Sequence, residues 1–349
     1  MISLPRSSVS SFTGRFFRSA GLFLAIFLIA PLGQAAEKSL VLNLDEFHIE
    51  PGPASKKART LTFPQAYSLG EILIGEKPGT PEDKMLRGAA RGKIIVPAGH
   101  YSVFVPAEHF YKNPDIAKTL PSDGFDAMQV AALSLDDSED GLCDRALAHI
   151  GHFKGLLDLS LDRSDAGDNG AAFASQLPEL QRLSAVRTLV EGSCIKQFSC
   201  LQKLRYINLD GDALKDENLS YFADIPQLIY LRVSHANVGD LGVRNLSTCN
   251  GLVTLDLSQN FHITDAAMSC LTRMKSLRVL NLMGTSVTMK GLLKLKGMPL
   301  KYLHLPGVKY SPAEIAILNK ALPGTIVIFF HPHPKPLDSD SKLLFAPLK

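Results

Sequence analysis

Residues 252–282 read LVTLDLSQNFHITDAAMSCLTRMKSLRVLNL. The stretch opens with Leu252, Leu255 and Leu257 in the pattern LxxLxL. It passes Asn260, Thr264 and Asp265, then meets a second LxxLxL at Leu277, Leu280 and Leu282. Leu255 and Leu257 are two residues apart, so in an extended chain they share one face, and Leu252 leads into it. Asp265 stands where a helix N-cap or first-turn acid belongs, and Met268, Leu271 and Met274 recur at helical spacing to cover the same core. A short strand and a short helix, each with one apolar face, cannot bury their leucines alone, so such units must stack.

Followed in both directions, the middle apolar position gives Leu133, Leu159, Leu189, Ile207, Leu231, Leu255, Leu280, Leu303 and, as a closing strand, Ile328. The intervals are 26, 30, 18, 24, 24, 25, 23 and 25, mostly within the roughly 20–29 residues of one known repeat class. The long second interval implies an insertion near Asp165–Gly170, and the short third one leaves Glu191–Leu201 too brief for a full helix, so irregular curvature is expected there. Between strands a second signal recurs: Val238, Gly239, Asp240, then Val243 and Leu246; Ile263, Thr264, Asp265, then Met268 and Leu271. The pattern resembles the leucine-rich repeats, in particular the ribonuclease-inhibitor-like and cysteine-containing subclass, whose consensus runs LxxLxL, a small polar residue, then ITDxGLxxL. The resemblance covers residues 123–330. It implies a curved α/β solenoid with parallel strands on the concave face and helices on the convex face, and it leaves activity open, because one fold hosts many functions.

Residues 1–36 carry Arg6, Arg15 and Arg18 ahead of an apolar run, Ala20–Ala30, and a small-residue exit at Gly33, Gln34, Ala35 and Ala36. This reads as a secretory signal peptide. The run is short for a membrane span, so none is expected after cleavage, with an uncleaved anchor as the alternative. Export to a periplasmic or extracellular location follows as an expectation. The chain holds 37 Lys and Arg against 34 Asp and Glu, and the three Arg of this segment account for the whole excess. A neutral remainder with scattered signs offers no electrostatic footprint for nucleic acid or for an anionic membrane.

Residues 37–122 lack the LxxLxL pattern and are punctuated by Pro and Gly. Ser39–Phe47, Tyr67–Gly75, Lys93–Val96 and Tyr101–Val105 read as strands, the last two joined as a hairpin through Pro97–His100. A small β-rich N-terminal cap is the expectation, since terminal repeats must cover an open core. At the other end, Ser311, Pro312 and Glu314 spell a capping box with proline at the first helical position, and Thr325–Phe330 supplies the closing strand. Residues 331–349 begin HPHPKP and read as a flexible proline-rich tail. His331 and His333 form an HxH pair without an identifiable third ligand, so no metal site is assigned.

The five cysteines, an odd number, leave at least one thiol unpaired within a chain. Cys249 falls three residues before Leu252, the place of Met274 before Leu277, Ile225 before Leu228 and Phe153 before Leu156, so it reads as core packing. Cys194 and Cys200 are close enough in sequence to bridge a tight loop; Cys270 falls on an outward helix face. No GxSxG, HExxH, phosphate loop or dinucleotide fingerprint is present, so no enzyme activity and no cofactor are expected. A hydrolase in the first hundred residues is the remote alternative.

Function is then expected on the concave sheet, where the third and fifth positions of each LxxLxL alternate with the buried leucines and should face solvent. The third positions are Tyr206, Tyr230, Thr254, Val279 and Tyr302, and the fifth are Asn208, Arg232, Asp256, Asn281 and His304. Tyr and Arg together are enriched at protein-interface hot spots. Tyr206, Asn208, Tyr230, Arg232, Asp256, Asn281, Tyr302 and His304 are therefore the candidate binding residues of a non-enzymatic module. Its partner would be an unidentified protein or cell-surface macromolecule; a structural envelope or surface protein is the alternative.

Overall fold

The computed structural model describes residue 55 and residues 57–131, 141–306 and 310–330. The expected signal peptide, the Ser39–Phe47 strand, Leu133 and the tail with His331 and His333 lie outside these residues. Among the described residues the strands are β1 Arg59–Thr62, β2 Gly70–Gly75, β3 Leu86–Ala89, β4 Lys93–Val96, β5 Tyr101–Pro106, β6 Ala127–Gln129, β7 Asp158–Ser160, β8 Arg182–Ser184, β9 Tyr206–Asn208, β10 Tyr230–Arg232, β11 Thr254–Asp256, β12 Val279–Asn281, β13 Tyr302–Pro306 and β14 Ile326–Phe330. From β5 to β14 each strand pairs in parallel with its successor. Short helices, several of them single turns or 3-10 segments, return the chain between strands. This is a leucine-rich-repeat solenoid.

The register corrects three positions in the repeat count. Leu159 pairs with Leu183, not Leu189, and Leu183 with Ile207. Leu189 is 67% exposed whereas Leu183 is 1% exposed. Likewise Met128 sits opposite Leu159, and Val327 rather than Ile328 sits opposite Leu303. The middle positions therefore run Met128, Leu159, Leu183, Ile207, Leu231, Leu255, Leu280, Leu303 and Val327. The intervals on either side of Leu183 become 24 and 24, so the paired insertion and deletion vanish, and with them the reason for an irregular bend. One long interval remains, between Met128 and Leu159. The segment Ser193–Cys200 is a 3-10 helix of eight residues, a form whose greater rise per residue covers the span with fewer residues than an α-helix.

Two sets of side chains stitch neighbouring repeats. On the helix side, Asp265 does not cap its own helix. Its carboxylate accepts hydrogen bonds from Thr288 N at 2.7 Å and Thr288 Oγ1 at 2.5 Å in the next repeat. Asp144 does the same to Gly167 N, Asp168 to Gly192 N and Cys194 N, Asp216 to Gly239 N, and Asp240 to Thr264 N and Oγ1. Each aspartate thus satisfies helix-start donors one repeat along. The glycine that follows in the repeat pattern is its counterpart. A Cβ at Gly170 would stand 2.1 Å from Asp144 Oδ1, at Gly242 2.3 Å from Asp216 Oδ1, and at Gly291 2.1 Å from Asp265 Oδ1.

On the strand side, Asn260 is 1% exposed. Its Oδ1 accepts from Ala236 N and Val238 N, each at 3.0 Å, and its Nδ2 donates to Val233 O at 2.7 Å and Leu257 O at 2.9 Å. Asp212 holds the same place two repeats earlier and is also 1% exposed. Its Oδ1 accepts from Thr188 N at 2.6 Å, but Oδ2 meets no donor among the described residues. By repeat equivalence Oδ2 stands where the Asn260 amide nitrogen stands, a position that calls for a donor. Burial pushes the Asp212 carboxyl up to about 7, against the opposing pull of the Thr188 hydrogen bonds.

The N-terminal strands join the same array. Strand β5 pairs with β6 and with β2, and β2 pairs with β3, so the sheet continues past the first repeat. The expected β4–β5 hairpin does not form: β4 pairs antiparallel with β1, in a separate two-stranded sheet. The turn at Pro97–His100 carries the chain from one sheet to the other instead of folding it back. Phe104 stacks on Phe125 at 4.9 Å, and Phe125 meets Phe153 edge-on at 5.4 Å, closing the apolar interior of the first repeats. Asp126 Oδ2 accepts from Arg59 Nη2 at 2.6 Å and from Ser102 N at 2.8 Å, tying β1 and β5 to the start of the repeats. At the far end the capping box is present: Glu314 N donates to Ser311 Oγ at 3.3 Å and Ser311 N to Glu314 Oε2 at 2.8 Å, opening the helix Pro312–Ala321.

Two outcomes are expected. Leu255 is 0% exposed, so Leu255→Ala should cost about 2–5 kcal/mol in chemical denaturation through the cavity it leaves. The raised Asp212 pKa means that the folded state holds a proton the unfolded chain releases near its ordinary value of 3.8. The stability linked to that proton is fully present below 3.8, falls as pH rises toward about 7, and is flat above it. Asp212→Asn should raise the melting temperature at pH 8 and flatten its pH dependence between pH 5 and 8; an unchanged profile would rule out the protonated ladder.

Candidate functional site

All eight candidate residues fall on adjacent strands of one sheet face, β9 to β13, in the expected order. The face is less open than alternation implies. Tyr206, Thr254, Val279, Asn281, Tyr302 and His304 are each 6–8% exposed, whereas Asn208, Tyr230, Arg232 and Asp256 are half-buried. Strands lie about 4.8 Å apart, so each of these side chains is flanked by its equivalents on both neighbours. Burial pushes the His304 imidazole below its ordinary value, with Asp256 pulling partly the other way, so the ring is neutral at neutral pH.

Three of the eight have a local structural task. Asn208 Oδ1 accepts from Asp210 N at 3.2 Å, Asp256 Oδ1 from Ser258 N at 2.9 Å, and Asn281 Oδ1 from Met283 N at 3.1 Å. Each is an Asx turn that ends its three-residue strand. The chain then passes through a left-handed residue at the same place in six successive repeats: Arg163, Arg187, Gly211, His235, Gln259 and Gly284. At the two glycines a Cβ would also crowd a neighbouring side chain, Arg187 Cγ at 2.8 Å from Gly211 and Gln259 Oε1 at 2.6 Å from Gly284.

The chemically distinctive part of the face is a charged and aromatic stack across β7 to β11. Asp158 pairs with Arg182 (Oδ2 to Nε, 3.3 Å), and the Arg182 guanidinium lies 4.3 Å from the centre of the Tyr206 ring. Tyr206 stacks on Tyr230 at 4.5 Å with 17° between the rings. One position along, Arg232 Nη2 reaches Asp210 Oδ2 at 3.0 Å, and its Nε faces Asp256 Oδ2 at 3.7 Å. Burial works against the Arg232 charge, but Asp256 and Asp210 outweigh it and hold the guanidinium above its ordinary value. His235 Nδ1 stands 3.7 Å from Asp210 Oδ1 and is 60% exposed. Ion pair, cation–π contact and ring stack form one continuous row on rigid strands.

Sequence reasoning missed Arg182, Asp158 and Asp210. The signal for Arg182 was present in Leu180-x-x-Leu183-x-Ala185, but Ala185 in place of the last leucine hid that repeat and moved its register to Leu189. Asp210 lies beyond the LxxLxL window and enters the site through the turn.

Ser234 Oγ lies 3.2 Å from His235 Nδ1, the same ring nitrogen that faces Asp210, but Ser234 is only 2% exposed. Among the described residues no group of three or more His, Cys, Asp or Glu is placed to hold a metal ion, and no helix is long and apolar enough to cross a membrane. Ser102 of β5 and Asp126 are buried, and Asp126 bonds both Ser102 and Arg59, a structural link between the N-terminal strands and the first repeat.

No protein-family model matches the chain, and no curated protein does. Among solved structures it is similar to TLR13 in a TLR13–ssRNA13 complex, at 17% identity and a TM-score of 0.38, over 58% of this chain and 34% of that one. It is also similar to internalin C2 from Listeria monocytogenes, at 17% identity and a TM-score of 0.38, over 56% of this chain and 92% of that one. This chain therefore spans well under half the length of the TLR13 chain. The fold assignment stands on the register and hydrogen bonding of its own strands.

The cysteines contribute packing. Cys249 is 6% exposed and its thiol is pushed up to about 12 by burial. Cys194 is buried and Cys200 exposed, both as free thiols, so the bridge that their spacing allowed is not formed. The pair straddles the 3-10 segment, with one side chain on its inner face and one on its outer. Thiol alkylation of the native protein should therefore modify Cys200 first and Cys270 next, leaving Cys249 unmodified until denaturant is added. Rapid native labelling of Cys249 would contradict this core assignment.

Proposed function

We propose that this protein is a non-enzymatic binding module that engages a protein or cell-surface macromolecule through its strand face and acts outside the cytoplasm. The observation that carries the proposal is the row Asp158–Arg182–Tyr206–Tyr230 beside Asp210–Arg232–Asp256. Its polar and aromatic groups are held in place by neighbouring strands before any partner arrives. Preorganised Tyr and Arg lose little side-chain entropy on docking, which is the quality that concentrates binding energy in hot spots. Residues 37–122 act in this reading as the N-terminal cap, supported by the β5–β6 pairing and the phenylalanine packing. The apolar run after Arg6, Arg15 and Arg18 supports export. The second reading, a structural envelope or surface protein, is favoured by the burial of most of the face and by the turn-forming use of Asn208, Asp256 and Asn281.

The two readings separate on Tyr230. A partner captured by cross-linking in the native envelope should bind Tyr230→Ala more weakly than the parent by over about 1 kcal/mol, while Lys196→Ala, an exposed change on the helix side, should bind as the parent does. Arg232→Ala is a poorer probe. It leaves Asp210 and Asp256 facing one another without their shared cation, so it should lower the melting temperature as well. Parent-like affinity for Tyr230→Ala would leave the structural reading in place.

A further inference from the structure

Overall neutrality conceals a sharp division of charge. Between Ala266 and Phe330 the chain carries nine Lys or Arg and a single acid, Glu314, and that acid is occupied in the capping box with Ser311. The register places these cations in columns. Arg273, Lys296 and Lys320 each stand seven residues ahead of the middle position of their repeats, Leu280, Leu303 and Val327, and all three are exposed. Arg278 and Lys301 form a second column where β12 and β13 begin, linked by the Lys301 N to Arg278 O hydrogen bond at 2.7 Å. Both columns lie where the chain turns from the helices back into the strands, so they line one edge of the last three repeats.

The fold does not require this arrangement. Cations do favour helix C-termini, yet the column of Arg273 continues backward through Thr248, Asp224, Cys200, Gln176 and His152, and those repeats stack equally well. Helices in contact lie about 8–10 Å apart, close to the Debye length of about 8 Å at physiological salt, so neighbouring cations in the column repel and contribute nothing to stability. The last helix adds an apolar element beside them: Ala313, Ala316 and Ile317 are exposed on the helix whose last turn carries Lys320, and Ile317 is 53% exposed.

We propose that this edge seats the solenoid on an anionic lipid surface, its lysines and arginines among the headgroups and Ile317 at the acyl boundary. The proposal is independent of the strand-face reading. A row of cations beside a small apolar helix face matches the two contributions that hold peripheral proteins on membranes, electrostatic attraction and shallow apolar burial. A single-stranded nucleic acid would call for exposed rings on which bases stack. The aromatic residue next to Lys301, Tyr302, is 7% exposed, with Lys301 Nζ 5.1 Å from its ring centre.

The test is sedimentation of the full chain with phosphatidylcholine vesicles with and without phosphatidylglycerol, at low and high salt. Parent and variants share the N-terminal apolar run, so any partition it causes is common to all. The parent should bind phosphatidylglycerol vesicles in a salt-sensitive way. The triple variant R273A/K296A/K320A should partition about a hundredfold more weakly, at roughly fivefold per cation. The equally charge-reduced K154A/K196A/K203A, which alters exposed lysines of earlier repeats, should bind as the parent does. I317S should weaken binding at high salt, where the apolar contribution dominates. Equal loss in both triple variants would overturn the edge as a site, as would parent-like binding by R273A/K296A/K320A. A single-stranded oligonucleotide that binds the parent but not R273A/K296A/K320A, with no vesicle binding by either, would make the edge a nucleic-acid surface and overturn the lipid assignment.

Discussion

The parallel pairing of three-residue strands is the constraint on which the rest of this protein depends. Each strand contributes one middle apolar side chain to the interior and sets it against its equivalents: Leu183, Ile207, Leu231, Leu255, Leu280 and Leu303 are all 0–1% exposed. A slip of one residue in any repeat would turn its leucine out and a polar neighbour in. The pairing therefore locks the position of every side chain on the opposite face. That is why the Arg182, Tyr206 and Tyr230 row is rigid although each comes from a different repeat.

Everything that joins one repeat to the next respects this locking. The aspartates of the helix side reach forward to the next helix start and fit against a glycine there, which gives a physical meaning to the alternation of Asp and Gly in this part of the repeat. The Asx turns at Asn208, Asp256 and Asn281 end the strands after three residues. The left-handed position that follows accepts Arg163, Arg187, His235 and Gln259, non-glycine residues whose conformational cost is met by the ladder of backbone bonds on either side. At Asp212 an acid stands in a buried ladder position that Asn260 fills with an amide, and protonation converts it to the donor its surroundings require.

Two surfaces remain once these structural duties are assigned. The strand face holds a fixed row of paired charges and stacked rings in its middle repeats, suited to a specific partner of matching shape. The edge of the last three repeats gathers cations from a stretch that carries nine Lys or Arg and one acid, the composition on which the proposed anionic lipid contact rests. The two are compatible, because a solenoid seated by its edge leaves its strand face accessible from the side.

The sequence by itself determined the fold, because a leucine recurring every two dozen residues has no other way to be buried than stacking. It also determined the strand-face order of the eight candidates, the packing role of Cys249 and the cap at Ser311, all of which follow from spacing within one repeat. Tertiary structure decided what depends on neighbours. Whether Leu183 or Leu189 carries the third repeat was settled by pairing with Leu159 and Ile207, since Ala185 weakened the local pattern. That Asp265 caps the following helix, that Tyr302 and His304 are covered, and that Arg273, Lys296 and Lys320 share one edge are all relations across two dozen residues of chain. Hydrogen bonds and charge columns of this kind come into being only when repeats lie side by side, so a linear reading of any single repeat does not contain them.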